Sequence, residues 1–284
     1  MNEKIAEQIK GIIINELKNF KWDILGIIDE HQNIFPMTSD TKVLSKVFEM
    51  KIIPEFRKIA AKLSIKGNEC KLFLAEEQNQ YPDITLSGGI IGKEKIAIDI
   101  KSSYRKEEGK FSGFTLGAFN GYFKNRNSIK NIAFPYKEYS EHWVLCFIYD
   151  RDREKDITTI HSLKDMEKIP KIITNVEIIL QDKWKVAKTT PGSGNTANIG
   201  GIDDIHKLKN GQGPFSSEGE DAFNDYWMHY IRREDCNKIG LNEQPFTNME
   251  NYKKWIKEGR KGDKLIEDYY SVYDNNAESE TDEE

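Results

Sequence analysis

Along residues 3–20 the apolar positions fall at Ile5, Ile9, Ile12, Ile13 and Leu17, a spacing that lines them up on one helical face. An amphipathic helix therefore opens the chain. Ser39 or Asp40 is placed to cap a second helix running through Thr41 to Glu49, and Pro54 is expected to interrupt it before helical spacing resumes. The period then changes. Asp83-Ile84-Thr85-Leu86, ending at Ser87-Gly88-Gly89, and the alternating Ile96-Ala97-Ile98-Asp99-Ile100-Lys101 predict two strands joined by a loop. Further strands are expected at Asn131–Tyr136, His142–Tyr149 and Val176–Trp184. The stretch Thr189–Thr196, with one proline and two glycines, reads as a loop. Helical spacing returns around Phe223–Ile231 and Tyr252–Gly259, and no internal repeat is present.

These elements predict an α/β fold, a mixed β-sheet flanked by α-helices. The 284 residues suffice for one large domain, which we place over residues 1–262. Residues 263–284 contain nine acids against one lysine and are expected to form a disordered acidic tail. That tail accounts for −8 of the net charge, leaving +3 on residues 1–262 of a chain whose total is −5. A mildly basic body is compatible with a phosphate-bearing partner, which depends on local clustering more than on total charge. No apolar run approaches the length of a membrane span, and the start lacks a secretory pattern. Cys70, Cys146 and Cys236 are odd in number and lack a Cys-x-x-Cys pair, which predicts reduced thiols and a cytoplasmic location. The five histidines show no zinc-ligand spacing, and no nucleophile motif supports covalent catalysis.

The hairpin carries the candidate chemistry. On a strand rising about 3.3 Å per residue, Asp99 and Lys101 point the same way roughly 7 Å apart, while Ile96, Ile98 and Ile100 point the other way. If the strand bearing Asp83 pairs beside them, two carboxylates and a lysine converge. Two carboxylates suit a hard divalent cation such as magnesium, and a neighbouring ammonium suits the charge of a phosphodiester under hydrolysis. Pro-Asp followed by Asp-x-Lys is by itself a loose pattern, and solvated charges on a wet sheet face would produce it too. The strongly apolar flanks and the hydroxyls of Ser102-Ser103-Tyr104 favour the phosphate reading.

The sequence also resembles the type II restriction endonucleases of the PD-(D/E)xK nuclease superfamily, in particular those that cut GATATC. The resemblance runs through Ser39-Asp40-Thr41-Lys42-Val43-Leu44-Ser45, Phe48-Glu49, Tyr81-Pro82-Asp83 and Ile96 to Lys101. It continues in Phe114-Thr115-Leu116-Gly117, Gln181-Asp182-Lys183-Trp184, Gly192-Ser193-Gly194-Asn195-Thr196, Asn198-Ile199-Gly200, Asp225-Tyr226-Trp227 and Gly259-Arg260-Lys261, sparing only the tail. It implies that Asp83 and Asp99 bind metal, that Lys101 is the catalytic lysine, and that Glu49 is an auxiliary metal-binding carboxylate on a helix. It further implies that Gly192, Ser193, Gly194, Asn195, Thr196 and Asn198 belong to a loop reading bases in the major groove. A Gly-rich loop lets backbone approach bases, and an asparagine amide matches adenine. Gln78 and Asn79 correspond to a loop near the minor groove, and Lys42, Tyr104, Thr115 and Lys130 to positions facing DNA.

The implied protein is a homodimer that cuts both strands of the palindrome at its centre, leaving blunt ends with 5′-phosphates. Magnesium would be the cofactor, manganese a substitute, and calcium a support for binding without cleavage; no organic cofactor is expected. Two alternatives stay open, a nuclease of this superfamily with other specificity and a DNA-binding module without catalysis. This chain departs from the pattern at Glu77, where the family has glutamine, and at Ala197, where it has threonine. A few extra residues also lie between Glu49 and Asp83 and between Leu116 and Lys130.

Overall fold

The alternation of Ile96–Lys101 does form a strand, and it lies at the centre of the main sheet. The computed structural model describes residues 1–77, 79–192 and 197–279, the last eight by backbone alone. In chain order the elements are α1 (Glu3–Leu17), β1 (Gly26–Ile28), β2 (Asn33–Pro36), α2 (Thr41–Leu63), β3 (Cys70–Leu74), β4 (Ile84–Gly88), β5 (Lys95–Tyr104) and β6 (Thr115–Ala118). There follow β7 (Tyr139–Arg151), β8 (His161–Ser162), β9 (Ile173–Asp182), β10 (Ala187–Pro191), β11 (Asn198–Gly201), α3 (Ile205–Asn210), α4 (Glu220–His229), α5 (Arg233–Cys236), α6 (Met249–Lys257) and α7 (Asp263–Ser279).

The main sheet runs β3-β4-β5-β7-β9. Only the β5/β7 pair is parallel, so the sheet is mixed and the expected α/β architecture holds. Its two faces pack against different cores. Ile96, Ile98 and Ile100 of β5 join Trp143, Leu145 and Phe147 of β7 beneath α1 and α2. Ala97 joins Val144, Cys146 and Ile148 in the other core, under aromatic side chains from Phe119, Tyr136, Phe223 and Trp227. The second face is therefore covered, not wet, and Asp99 is only 7% exposed.

Four expectations need correction. Pro54 lies inside a continuous α2. Its own position is exposed, while Ile52, Phe56 and Ile59 are buried on the opposite face, and those side chains at about 1.5–3 kcal/mol each outweigh a proline cost of about 3 kcal/mol. Asn131–Tyr136 is not a strand; it makes one bridge, Tyr81 to Ile132, before Pro135 removes a donor. Residues 187–191, partly assigned to a loop, form β10, whose pairing with β11 is irregular and ends at Pro191. The segment after residue 262 is not a disordered tail along its described length. It folds as α7, with Ile266 and Tyr270 buried against Ile231 and Cys236, apolar positions that its many acids obscured.

A second sheet, β10-β11-β6, walls the cleft described below, and a third, β1-β2-β8, lies at the periphery. Cys70, Cys146 and Cys236 are buried and unbridged. Among the described residues no helix is long and apolar enough to cross a membrane.

Candidate active site

The β4/β5 hairpin builds the centre of the site through its register. Ile84 pairs with Ile98 antiparallel, so extending the ladder one step sets Asp83 opposite Asp99. Asp83 Oδ2 accepts the Ile100 amide at 2.5 Å, which fixes one carboxylate to the backbone between Asp99 and Lys101. Lys101 Nζ lies 2.8 Å from Asp99 Oδ2. The three residues open into a cleft of about 740 Å³ also lined by Asn79, Gln80, Tyr81, Gly117, Asn120, Tyr122, Lys130 and Asn198.

The electrostatics show how tightly these charges are held. Burial, then the Asp99 charge, pushes the Asp83 carboxyl up to about 7, although Lys101 and the Ile100 amide pull it down. Burial pulls the Lys101 ammonium down, but Asp99 and Asp83 outweigh it and hold its pKa above the ordinary lysine value. Two buried carboxylates in mutual repulsion are an arrangement that a divalent cation relieves. Asp83 and Asp99 thus fit a magnesium-type ion, which takes few protein oxygens and keeps its waters, and the cleft has room for those waters. No group of three or more acids, histidines or cysteines able to hold a metal occurs among the described residues.

The remaining expected site residues divide. Asn79, Lys130 and Asn198 line the cleft with the central three. Glu49, on α2, does not; its carboxylate is engaged by Lys46 Nζ at 2.7 Å, and its charge reaches Asp83 only as the weakest of the influences named for that group. Lys42 sits exposed in the first turn of α2, where Asp40 caps the helix by accepting the Lys42 and Val43 amides. Tyr104 ends β5 with its ring 3.5 Å from the Arg151 guanidinium carbon. Thr115 opens β6, and a Cβ at Gly192 would overlap its methyl, so that approach requires glycine. The Gly192 amide donates to the Asn198 carbonyl at 2.7 Å. Gln78, Ser193, Gly194, Asn195 and Thr196 lie outside the described residues.

Sequence reasoning missed several cleft residues. Tyr81 is buried, shares a 2.7 Å hydrogen bond with His142 Nδ1, and exchanges backbone hydrogen bonds with Asn131 and Ala133 that close one wall. Burial pushes the His142 imidazole well below its usual range, so it is neutral there. Asn120 stands in the aromatic run Phe114–Phe123, and its buried Oδ1 has no hydrogen-bond partner among the described residues. That lone amide among aromatics was the available signal.

The family profile described as Restriction endonuclease EcoRV matches residues 18–257. The type II restriction enzyme EcoRV of Escherichia coli is 39% identical over 258 residues, which cover 89% of this chain and 99% of that one. With a near-complete match in length, and the paired carboxylates and lysine at the base of one cleft, the chain belongs to the EcoRV family of type II restriction endonucleases.

Proposed function

We propose that this endonuclease acts as a homodimer on the duplex palindrome GATATC and, with magnesium, hydrolyses both strands at its centre to blunt ends bearing 5′-phosphates. One observation carries the reading. The segment resembling the base-reading loop leaves Gly192 and returns at Asn198, and these ends are bonded to each other beside the cleft that holds Asp83, Asp99 and Lys101. That placement supports a reading in which base recognition and strand cutting share one wall.

In this reading Asp83 and Asp99 hold the cation, and Glu49, engaged by Lys46 away from the cleft lining, acts on the site only through its charge. When bound, the cation supplies charge compensation for the phosphate and Lewis acidity. Lys101, kept protonated by both aspartates, donates hydrogen bonds to the phosphate and stabilises the negative charge that builds there. Lys130 and Asn79 at the cleft rim suit backbone contacts, and Gln78, Lys42, Tyr104 and Thr115 are further candidates for facing DNA. The central T-A step of the palindrome unstacks easily, so bending contributes to specificity.

A palindrome read by two equivalent subunits needs a self-complementary face. The peripheral sheet offers one. Ile27 of β1 and Phe35 of β2, paired across the strands and therefore on one face, are 60% and 43% exposed, and Ile160, Leu163 and Met166 stand exposed beside β8. So many large apolar side chains on one small sheet suit burial against a second copy. Digesting plasmid DNA with magnesium and sequencing the termini tests the whole reading: blunt ends inside GATATC are expected, and scattered or absent ends refute it. Asp99→Ala should abolish cleavage in a protein that still melts cooperatively.

A further inference from the structure

Behind the catalytic residues lies a cation that the scheme above does not use. Lys183 follows β9 and is 2% exposed. Its Nζ faces the rings of Tyr81, Phe123 and Tyr136 at 4.6, 5.6 and 5.7 Å, and makes no ion pair or hydrogen bond with any described residue. Lysine is almost never buried without a counter-ion, and cation–π contacts with these rings offset only part of the desolvation cost. Packing alone gives no reason for it, since a methionine of similar length would fill the space without that cost.

Its position supplies the reason. Tyr81, whose ring lies nearest, lines the cleft, as does Gly117. Gly117 has a φ of +85°, and a Cβ there would stand 3.9 Å from Lys183 Nζ, so the ammonium sits directly under a side-chain-free part of the floor. The ionic groups that bear on it are the catalytic ones. Burial pulls its pKa down to about 8, Asp99 holds it up, and Lys101 pushes it down.

We infer that Lys183 is a positioning residue for strand cleavage: from beneath the cleft floor its fixed positive charge loosens the grip of the Asp83–Asp99 pair on a cation and stabilises charge building on the phosphate. This rests on the metal-dependent cleavage proposed above. The two effects oppose each other, and a packing role would not produce that opposition. Loss of the charge should tighten metal binding while slowing the reaction.

The test compares the full-length protein with Lys183→Met, and with Lys183→Gln should the first variant fold poorly. Three quantities are measured: the single-turnover rate at saturating magnesium on a plasmid the parent linearises, the calcium concentration giving half-maximal binding of a short GATATC duplex, and the melting temperature. Expected are a rate about tenfold lower, a calcium half-point about threefold lower, and a melting temperature equal or higher. An unchanged rate overturns the inference, and so does slower cleavage together with weaker calcium-dependent binding or a lower melting temperature, which marks a structural role. If the parent itself cuts no DNA, the proposed function fails first and takes the inference with it.

Discussion

Asp83→Asn removes one of two charges that the cleft forces together, and its effect on the metal-free protein follows from the site's electrostatics. Burial and Asp99 raise the Asp83 carboxyl from 3.8 to about 7. At about 1.4 kcal/mol per pH unit, that places a penalty on the order of 4 kcal/mol on the folded, ionised state. The sign is definite. An acid that titrates higher in the fold than in the unfolded chain binds its proton more tightly when folded, so stability declines as pH rises from about 4 to about 7 and bears the full penalty above. Asparagine carries no charge and keeps an oxygen to accept the Ile100 amide. The stability gap between variant and parent should therefore widen by about 3 kcal/mol from pH 4.5 to pH 8. For a chain of this size that is roughly 6–12 °C in melting temperature. Thermal melts in EDTA across that range measure it. Glu220, also raised to about 7, chiefly by burial, is present in both proteins and cancels in the difference. Adding magnesium should stabilise the parent more than the variant and narrow the gap. A gap of constant size at every pH would refute the argument.

Three further outcomes are expected. Gly192→Ala should weaken calcium-dependent binding of a GATATC duplex about tenfold, measured by fluorescence anisotropy, and adding Thr115→Ser, which vacates the overlapped methyl but keeps the hydroxyl, should recover most of it. Ending the chain at Gly262 should cost about 4 kcal/mol in urea denaturation, since Ile266 and Tyr270 leave their cluster at about 1.5–3 kcal/mol each; a disordered tail would cost nothing. Replacing exposed Ile27 and Phe35 by aspartate should convert a dimer in sedimentation velocity to monomer while leaving the melting temperature of the monomer unit within a few degrees.

The parts of the structure legible in the sequence are those governed by local periodicity. The Ile96–Lys101 alternation, the Asp40 cap and the amphipathic α1 each rest on neighbours within a few residues, and each formed as expected. Asp83, Asp99 and Lys101 could be grouped because one hairpin register decides their meeting. What failed depends on distant partners. Whether Pro54 breaks a helix depends on the core opposite it, and whether acidic residues 263–271 fold depends on a hydrophobic seat around Ile231 and Cys236, far upstream in the chain. Lys183 was legible only as part of a matched motif, because no pattern of polar and apolar letters distinguishes a buried ammonium from a solvated one.

The double burial of β5 also bears on how this family can change length. Its side chains alternate between two separate cores, so inserting or deleting one residue between the ladder positions would exchange the isoleucines with Asp99 and Lys101 and ruin both layers at once. Within the hairpin, the Asp83 side-chain clamp on the Ile100 amide ties the first acid to the same frame. A change in length is therefore tolerated only in connections outside the hairpin, such as those between Glu49 and Asp83 and beyond Leu116. The chemistry acts as a ruler laid along the strand, and divergence accumulates only where nothing is being measured.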